Sequence, residues 1–340
     1  MTATLERPPS SLPGNAVPID GWESVCKHFP FDWLQREIKQ HAHHLEEVAF
    51  DAGMPLRFKT WAGRVVGSRV LERKEIEKIT DSARFREDGR AGIGGTLHRL
   101  SSIEQPGGLI TGVRFRVGRF LPDVADTLLP YLERDPYAVI CGRPGGGKTT
   151  VLRAIAAGLG RTYGHNLVII EPSGEIGGSG VDLYPGMGFV TRFNCANPMR
   201  QEDTFIRAVR NASPEVLIGD EVGYAKDVEV ICTRARSGCG VICTVHGNNL
   251  DDMMTNANLP VLLGDYDRIT KVRHSSAPIH QLIEVVAKGV YRVYRSLNEA
   301  IDARAKGAEP QSDLVGPGVA RFLELNPAWV GRCVLPKGIF

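Results

Sequence analysis

The stretch CGRPGGGKTT, residues 141–150, places Gly142, four intervening residues and then Gly147-Lys148-Thr149 in one short run. A glycine-rich loop of this spacing turns several backbone N–H groups into one concavity at the start of a helix, where the helix end also favours a phosphate. Gly142, Arg143, Pro144, Gly145, Gly146, Gly147, Lys148, Thr149 and Thr150 are therefore the expected phosphate cradle. Lys148 is expected to reach the β- and γ-phosphates, and the Thr149 hydroxyl to hold Mg²⁺. The flanks agree. YAVIC (137–141) is an apolar run of buried-strand type, and TTVLRAIAAGLG (149–160) has helical periodicity through Val151, Leu152, Ile155 and Leu159. Strand, loop and helix follow in the order phosphate binding requires, which a chance glycine turn would not supply.

Outward from the loop, NLVIIE (166–171), EVLIGDE (215–221) and GVICTVHG (240–247) repeat the short apolar run between helical stretches. Such alternation predicts an α/β core with a mainly parallel sheet covered by helices. The runs end in chemistry. Asp220 and Glu221 close the second, where Asp220 is expected to hold Mg²⁺ through water and Glu221 to orient or deprotonate the attacking water. Glu171 and Glu175 flank a Pro-Ser-Gly turn after the first, and Glu171 is read as a catalytic acid, with Glu175 left open between function and capping. Thr244 and His246 end the third, and the His246 imidazole is placed to sense the γ-phosphate or the acidic pair. His41 and His44 share a helical face without a third ligand, so a solvated face is expected there rather than a metal. Phosphoryl transfer also calls for an arginine, often from a neighbouring subunit; the candidates are Arg114, Arg116, Arg119, Arg192, Arg207 and Arg210, which sequence does not rank.

Bulk composition narrows the partners. Of 340 residues, 42% are hydrophobic and 24% charged, and 41 Lys+Arg against 39 Asp+Glu leave a net charge of +2. No global basic field points to nucleic acid. No apolar run reaches the roughly 18–20 residues of a membrane span, and MTATLERPPSSLPGNAVP lacks the apolar segment of a secretory signal, so a cytoplasmic protein is expected, with room for peripheral association with an inner membrane. Seven cysteines, an odd number, read as reduced thiols.

The chain divides, on composition, into a flexible tail (1–21), an α+β domain (22–121), the nucleotide-binding core (122–274) and a C-terminal extension of unassigned role (275–340). Within the second segment, an amphipathic helix is expected from Asp32 to about Ala52, stopped by Gly53. PLRFKTWAGRVVG (55–67) reads as a strand pair, residues 72–85 as a charged helix, and the Pro-Gly-Gly of 106–108 as the turn between two further strands. In the extension, GVYRVYRSLNEAIDARAKG (289–307) reads as helical and AEPQSDLVGPG (308–318) as a linker.

With DGRAGIGGTLHRLSSI, GVRFRVGR, GRPGGGKTTVLRAIA, PEVLIGDEVG and TVHGNNLDDMM in view, the chain resembles the secretion-ATPase superfamily, in the branch of the stage III sporulation protein AA and the related chloroplast- and cyanobacterium-encoded ATPases. The resemblance implies a RecA-like P-loop core behind a smaller N-terminal domain, assembled as a ring, a hexamer, with ATP and Mg²⁺ between subunits. It maps the superfamily's acidic box onto Glu171 and Glu175 and its histidine box onto His246. Where the secretion branch carries Gly-Glu, this chain has Asp220-Glu221, which makes Glu221 the match to the shared catalytic acid. No Arg-x-x-x-His signature of a single-strand-binding module occurs in the C-terminal part. The leading expectation is an ATP-hydrolysing ring motor acting on a membrane-associated secretion or pilus-like assembly. A nucleic-acid translocase is the alternative, resting on Arg57, Lys59, Arg64, Arg69, Arg73 and Lys74 around Phe58 and Trp61. A nucleotide-gated scaffold is a third.

Overall fold

The computed structural model describes residues 19–178, 180–195 and 201–335. It separates into two compact units: the chain up to Arg119 together with Gly177–Pro185, and Phe120–Ile176 together with Gly186 onward. Most of the expected tail lies outside the described residues.

The first unit contains α1 (Trp22–His28), α2 (Asp32–His41), β1 (Leu45–Asp51), β2 (Pro55–Thr60), β3 (Gly63–Val70), α3 (Arg73–Thr80), β4 (Arg90–Gly92), β5 (Arg99–Gln105) and β6 (Leu109–Arg116). Its strands form one antiparallel sheet ordered β3-β2-β1-β6-β5-β4. Val25, Leu34, Ile38, Ile76 and Ile79 of the helices share a single core with Val48, Phe50, Phe58, Leu100 and Phe115 of the strands. The helix expected over 32–52 ends at His41, and residues 45–51 are the strand β1. Leu45, Ala49 and Ala52 fit a helical spacing, but Leu45, Val48 and Phe50 point into the core and β1 pairs with a strand on each side. Two ladders of backbone hydrogen bonds outweigh a local helical preference of tenths of a kcal/mol per residue.

The second unit contains α4 (Leu129–Arg134), β7 (Tyr137–Gly142), α5 (Lys148–Tyr163), β8 (Leu167–Glu171), β9 (Thr191–Asn194), α6 (Gln201–Ala212), β10 (Val216–Val222), α7 (Ala225–Arg236), β11 (Gly240–Val245) and α8 (Leu250–Thr255). There follow a small hairpin, β12 (Tyr266–Asp267) and β13 (Val272–Arg273), then β14 (Gln281–Ala287), β15 (Val290–Tyr294), α9 (Leu297–Ala305), β16 (Asp313–Val315) and α10 (Val319–Leu325). Eight strands run in the order β16-β15-β14-β7-β11-β10-β8-β9. The six from β14 to β9 are parallel, while β15 and β16 add an antiparallel edge. β8 and β11 are buried at every residue, as parallel strands covered on both faces must be, which is why they read as unbroken apolar runs.

Two boundaries differ from the sequence reading. Residues 275–340 are not set apart as an extension, because β14 pairs directly with the loop-bearing strand β7 and brings β15 and β16 with it. Residues 289–307 accordingly divide into β15 and α9: Val290, Tyr291, Val293 and Tyr294 are all buried in the sheet. The segment Gly177–Pro185 leaves the core and belongs to the first unit, where Tyr184 donates its hydroxyl hydrogen to Asp20 Oδ2 at 2.9 Å. All seven cysteines are free thiols.

Candidate nucleotide-hydrolysis site

The phosphate loop lies between β7 and α5. Gly145 and Gly147 hold φ of 72° and 106°, a region costly for residues with a Cβ, and the helix begins at Lys148. Gly142 N–H donates to Gly247 O at 2.8 Å, fastening the loop's entry to the turn after β11. Lys148 Nζ donates to Gly142 O at 2.7 Å, folded over the loop it would serve. Thr149 and Thr150 are half-buried in the first helical turn, and Arg143 and Pro144 are exposed.

Because the strands are parallel, their carboxyl ends lie along one edge of the sheet, where ligands of open α/β folds bind. Strand β11 runs between the Asp220-Glu221 strand β10 and the loop strand β7. Thr244 on β11 makes the connection: its Oγ1 donates to Asp220 Oδ1 at 2.6 Å and accepts from Glu221 N–H at 2.8 Å. The β10–β11 register shifts between Gly219 and Val222, a bulge that re-aims the side chains at the strand end. Glu221 there takes φ of 54° and is exposed, a left-handed conformation uncommon for a residue with a Cβ.

Asp220 is 1% exposed and its carboxyl is raised from 3.8 to about 7. Burial is the main cause; the Thr244 hydrogen bond opposes it, and the charges of Glu221, Glu175 and Glu171 add to it. Asp220 Oδ2 is buried with no hydrogen-bond partner. A buried acceptor left open in an acidic setting is the arrangement a divalent cation or its water completes. Among the described residues, no group of three or more His, Cys, Asp or Glu is gathered to hold a metal by itself. Mg²⁺ is commonly shared between one or two protein oxygens and substrate phosphates. Asp220 and Thr149 are the residues that would hold it.

His246 follows β11 and is exposed. A Cβ on Gly223 would lie 3.1 Å from His246 Cδ2, so the glycine after the acidic pair leaves room for the ring. Asn258 Nδ2 donates to Gly223 O at 2.9 Å and Asn256 Nδ2 to His246 O at 3.4 Å, so one segment ties both turns. Glu171 is differently placed: it is fully buried, and its Oε2 accepts from Ile176 N–H at 2.6 Å, closing the turn that contains Glu175. Gly223, Asn256 and Asn258 escaped the sequence reading as site residues, and Thr244 was named at its strand end without a role. The available signal was a lone threonine inside VICTV, two residues before His246 and so on the same strand face.

Other expectations resolve on contacts. Arg119 is buried, donating to Leu45 O and Ala42 O at 2.6 and 2.8 Å, and Arg114 pairs with Asp51 at 3.0 Å. His41 and His44 pack against Phe58 and Trp61, with ring centroids 4.6 and 5.9 Å apart. The basic stretch is largely neutralised within its own unit: Arg57 pairs with Asp51, Lys59 with Glu46, Arg69 with Glu75, Arg73 with Glu77 and Lys74 with Glu72. Phe58 is 1% exposed, which leaves it no face for a base.

Comparisons with known proteins give the family and the fold. The family described as "Sporulation stage III, protein AA" matches residues 90–280, more than half of the chain. "Uncharacterized protein ycf45" of Porphyra purpurea is 31% identical over 310 residues, covering 86% of this chain and 55% of that protein. "Stage III sporulation protein AA" of Bacillus subtilis (strain 168) is 28% identical over 203 residues, covering 56% of this chain and 64% of that one. The chain thus spans only part of the length of these relatives. Among solved structures, the pilus retraction motor PilT with bound ADP superposes with a TM-score of 0.53 at 17% identity, over 74% of this chain and 76% of that one. The fold is a RecA-like P-loop fold shared with that motor, preceded in the chain by a smaller α+β unit. Among the described residues, no helix is long and apolar enough to cross a membrane.

Proposed function

The chain belongs to the stage III sporulation protein AA family, and from that premise we propose that it hydrolyses ATP as a ring-forming motor of the secretion-ATPase type. The observation that carries the reading is the Thr244 bridge, which fixes a buried Asp220 and an exposed Glu221 on the sheet edge that also bears the phosphate loop. The loop amides and Lys148 neutralise the β- and γ-phosphates. Thr149 and Asp220 would hold Mg²⁺, which would supply charge neutralisation and alignment. Glu221 accepts a proton from water as the water oxygen bonds to the γ-phosphorus, and the bond to the bridging oxygen breaks with its electron pair leaving on ADP. His246, beside Gly223, is placed to report on the γ-phosphate, and Glu171 serves the reaction by shaping the acidic turn.

Adenine as the base, a hexameric ring with nucleotide between subunits, and a membrane-associated secretion or pilus-like assembly as the load all belong to this proposal. The likeness to a pilus retraction motor with bound ADP supports the base and the load, and the ring is what the resemblance to the superfamily implies. The test is phosphate release per protomer across a range of protein concentrations, with sedimentation alongside. A specific rate that climbs with concentration as rings form supports the proposal. A flat rate from a protein that stays monomeric with nucleotide overturns the ring motor, and tight binding without turnover leaves the scaffold.

A further inference from the structure

Arg153 is a charged residue in a helix that is otherwise buried by apolar and small side chains. It lies four residues after Thr149 on α5, so the two share a helix face one turn apart. It is 5% exposed. Burying a guanidinium is costly unless its donors are used. Here Nε donates to Glu175 O at 2.8 Å, and Nη2 donates to the same carbonyl. Glu175 is the acid of the turn that Glu171 closes through Ile176 N–H. The turn is therefore held from two sides, from β8 by the Glu171 carboxylate and from the phosphate-loop helix by Arg153. Beyond Ile176 the chain passes into Gly177–Pro185, part of the first unit.

We propose that Arg153 is a positioning residue: it fixes the backbone of the Glu171–Ile176 turn to the phosphate-loop helix, so that the helix and the acid-bearing turn move as one body when nucleotide arrives. The fork fits this task because two donors on a rigid plane hold one carbonyl in direction as well as distance, which a lysine ammonium cannot do. Through the turn, Arg153 sets where the Glu175 backbone lies. It also sets the point from which the chain departs for the first unit. Arg153 itself touches no reacting atom. The inference rests on the ATP-hydrolysis reading for its catalytic consequence but not for its structural one.

The test uses the full chain as wild type, Arg153→Lys and Arg153→Met. Three quantities are read: affinity for a fluorescent ADP analogue with Mg²⁺, steady-state phosphate release, and hydrogen exchange of the peptide containing the Ile176 amide, with and without MgADP. Arg153→Met is expected to bind the analogue within about threefold of wild type and lose about 10- to 100-fold in kcat, as misplacement of a supporting group does. Its Ile176 amide should exchange at least about tenfold faster while strands β7 and β11 keep wild-type protection. Arg153→Lys, which keeps the charge on a single donor nitrogen without the planar fork, should fall between the two and guards against a Met variant that fails to fold. Wild-type kcat and wild-type Ile176 exchange in either folded variant overturn the proposal, as does a loss of ADP affinity matching the loss of kcat. A wild-type chain that hydrolyses nothing would sink the ATPase reading alone, since the exchange at Ile176 still decides whether Arg153 holds the turn.

Discussion

Two neighbouring strands of the core sheet end in acids, and they use them differently. At the end of β8, Glu171 is fully buried and its carboxylate holds the Ile176 amide. At the end of β10, Asp220 is buried with one oxygen unpartnered, and Glu221 projects outward from a bulge with positive φ. The first end shows the economy of a structural turn, in which a buried acceptor meets a donor from its own loop. The second keeps an open acceptor and backbone strain, features that persist where a ligand or a reaction completes the site. Two acids at two strand ends look alike in sequence; their hydrogen bonds separate them.

The largest test of this contrast is Asp220→Asn. The folded, nucleotide-free protein holds the Asp220 carboxyl near 7 against 3.8 in an ordinary setting, so it binds a proton the unfolded chain has released. The stabilisation from that proton is complete below about pH 4 and is lost as pH rises through about 7. Asparagine keeps the shape and carries no charge to bury. Its stability relative to wild type is expected to grow between pH 5 and pH 8, by on the order of 2–4 kcal/mol, in chemical denaturation without nucleotide. A pH-independent difference would place Asp220 in a wetter site than the structure shows.

Glu171→Ala comes next. Removing the carboxylate leaves Ile176 N–H buried without that acceptor, at a cost of about 1–3 kcal/mol in urea unfolding. Unchanged stability would erase the distinction between the two strand ends. The smallest effect is expected for Glu221→Gly. Relief of the left-handed backbone is worth about 1–2 kcal/mol, and the greater freedom of glycine in the unfolded chain takes back about 0.4–1 kcal/mol. The variant should therefore unfold at slightly higher denaturant concentration while losing hydrolysis. A net loss of stability would mean that the Glu221 side chain, and not only its position, supports the fold.

How much of this was legible beforehand depends on whether a feature is local. The phosphate loop is local: Gly142 to Thr149 and their two flanks carry the whole signal, and the structure places them as strand, turn and helix. Four of the parallel strands, β7, β8, β10 and β11, were readable because burial on both faces forces apolar runs. Strand order was not, since nothing within β10 or β7 announces that β11 lies between them, and so the part of Thr244 went unseen. The C-terminal strands were missed for a related reason. QLIEVVA and VYRVY carry Glu284 and Arg292 inside apolar runs, which dilutes the pattern. In the fold Glu284 accepts from Leu250 N–H at 2.7 Å, and Arg292 pairs with Glu309, partners 34 and 17 residues away that no local reading supplies. The stretch 45–51 likewise owes its strand to β2 and β6 rather than to its own preference.

The central claim is that the β10 end performs the chemistry, and single-turnover hydrolysis of ATP by Glu221→Gln beside wild type tests it most directly, with ATP affinity measured on the same samples. The account predicts an affinity within about threefold of wild type and a hydrolysis rate lower by about 10²- to 10⁴-fold, the loss expected when a positioned base is neutralised. Hydrolysis by the variant at the wild-type rate would contradict it and remove Glu221 from the reaction.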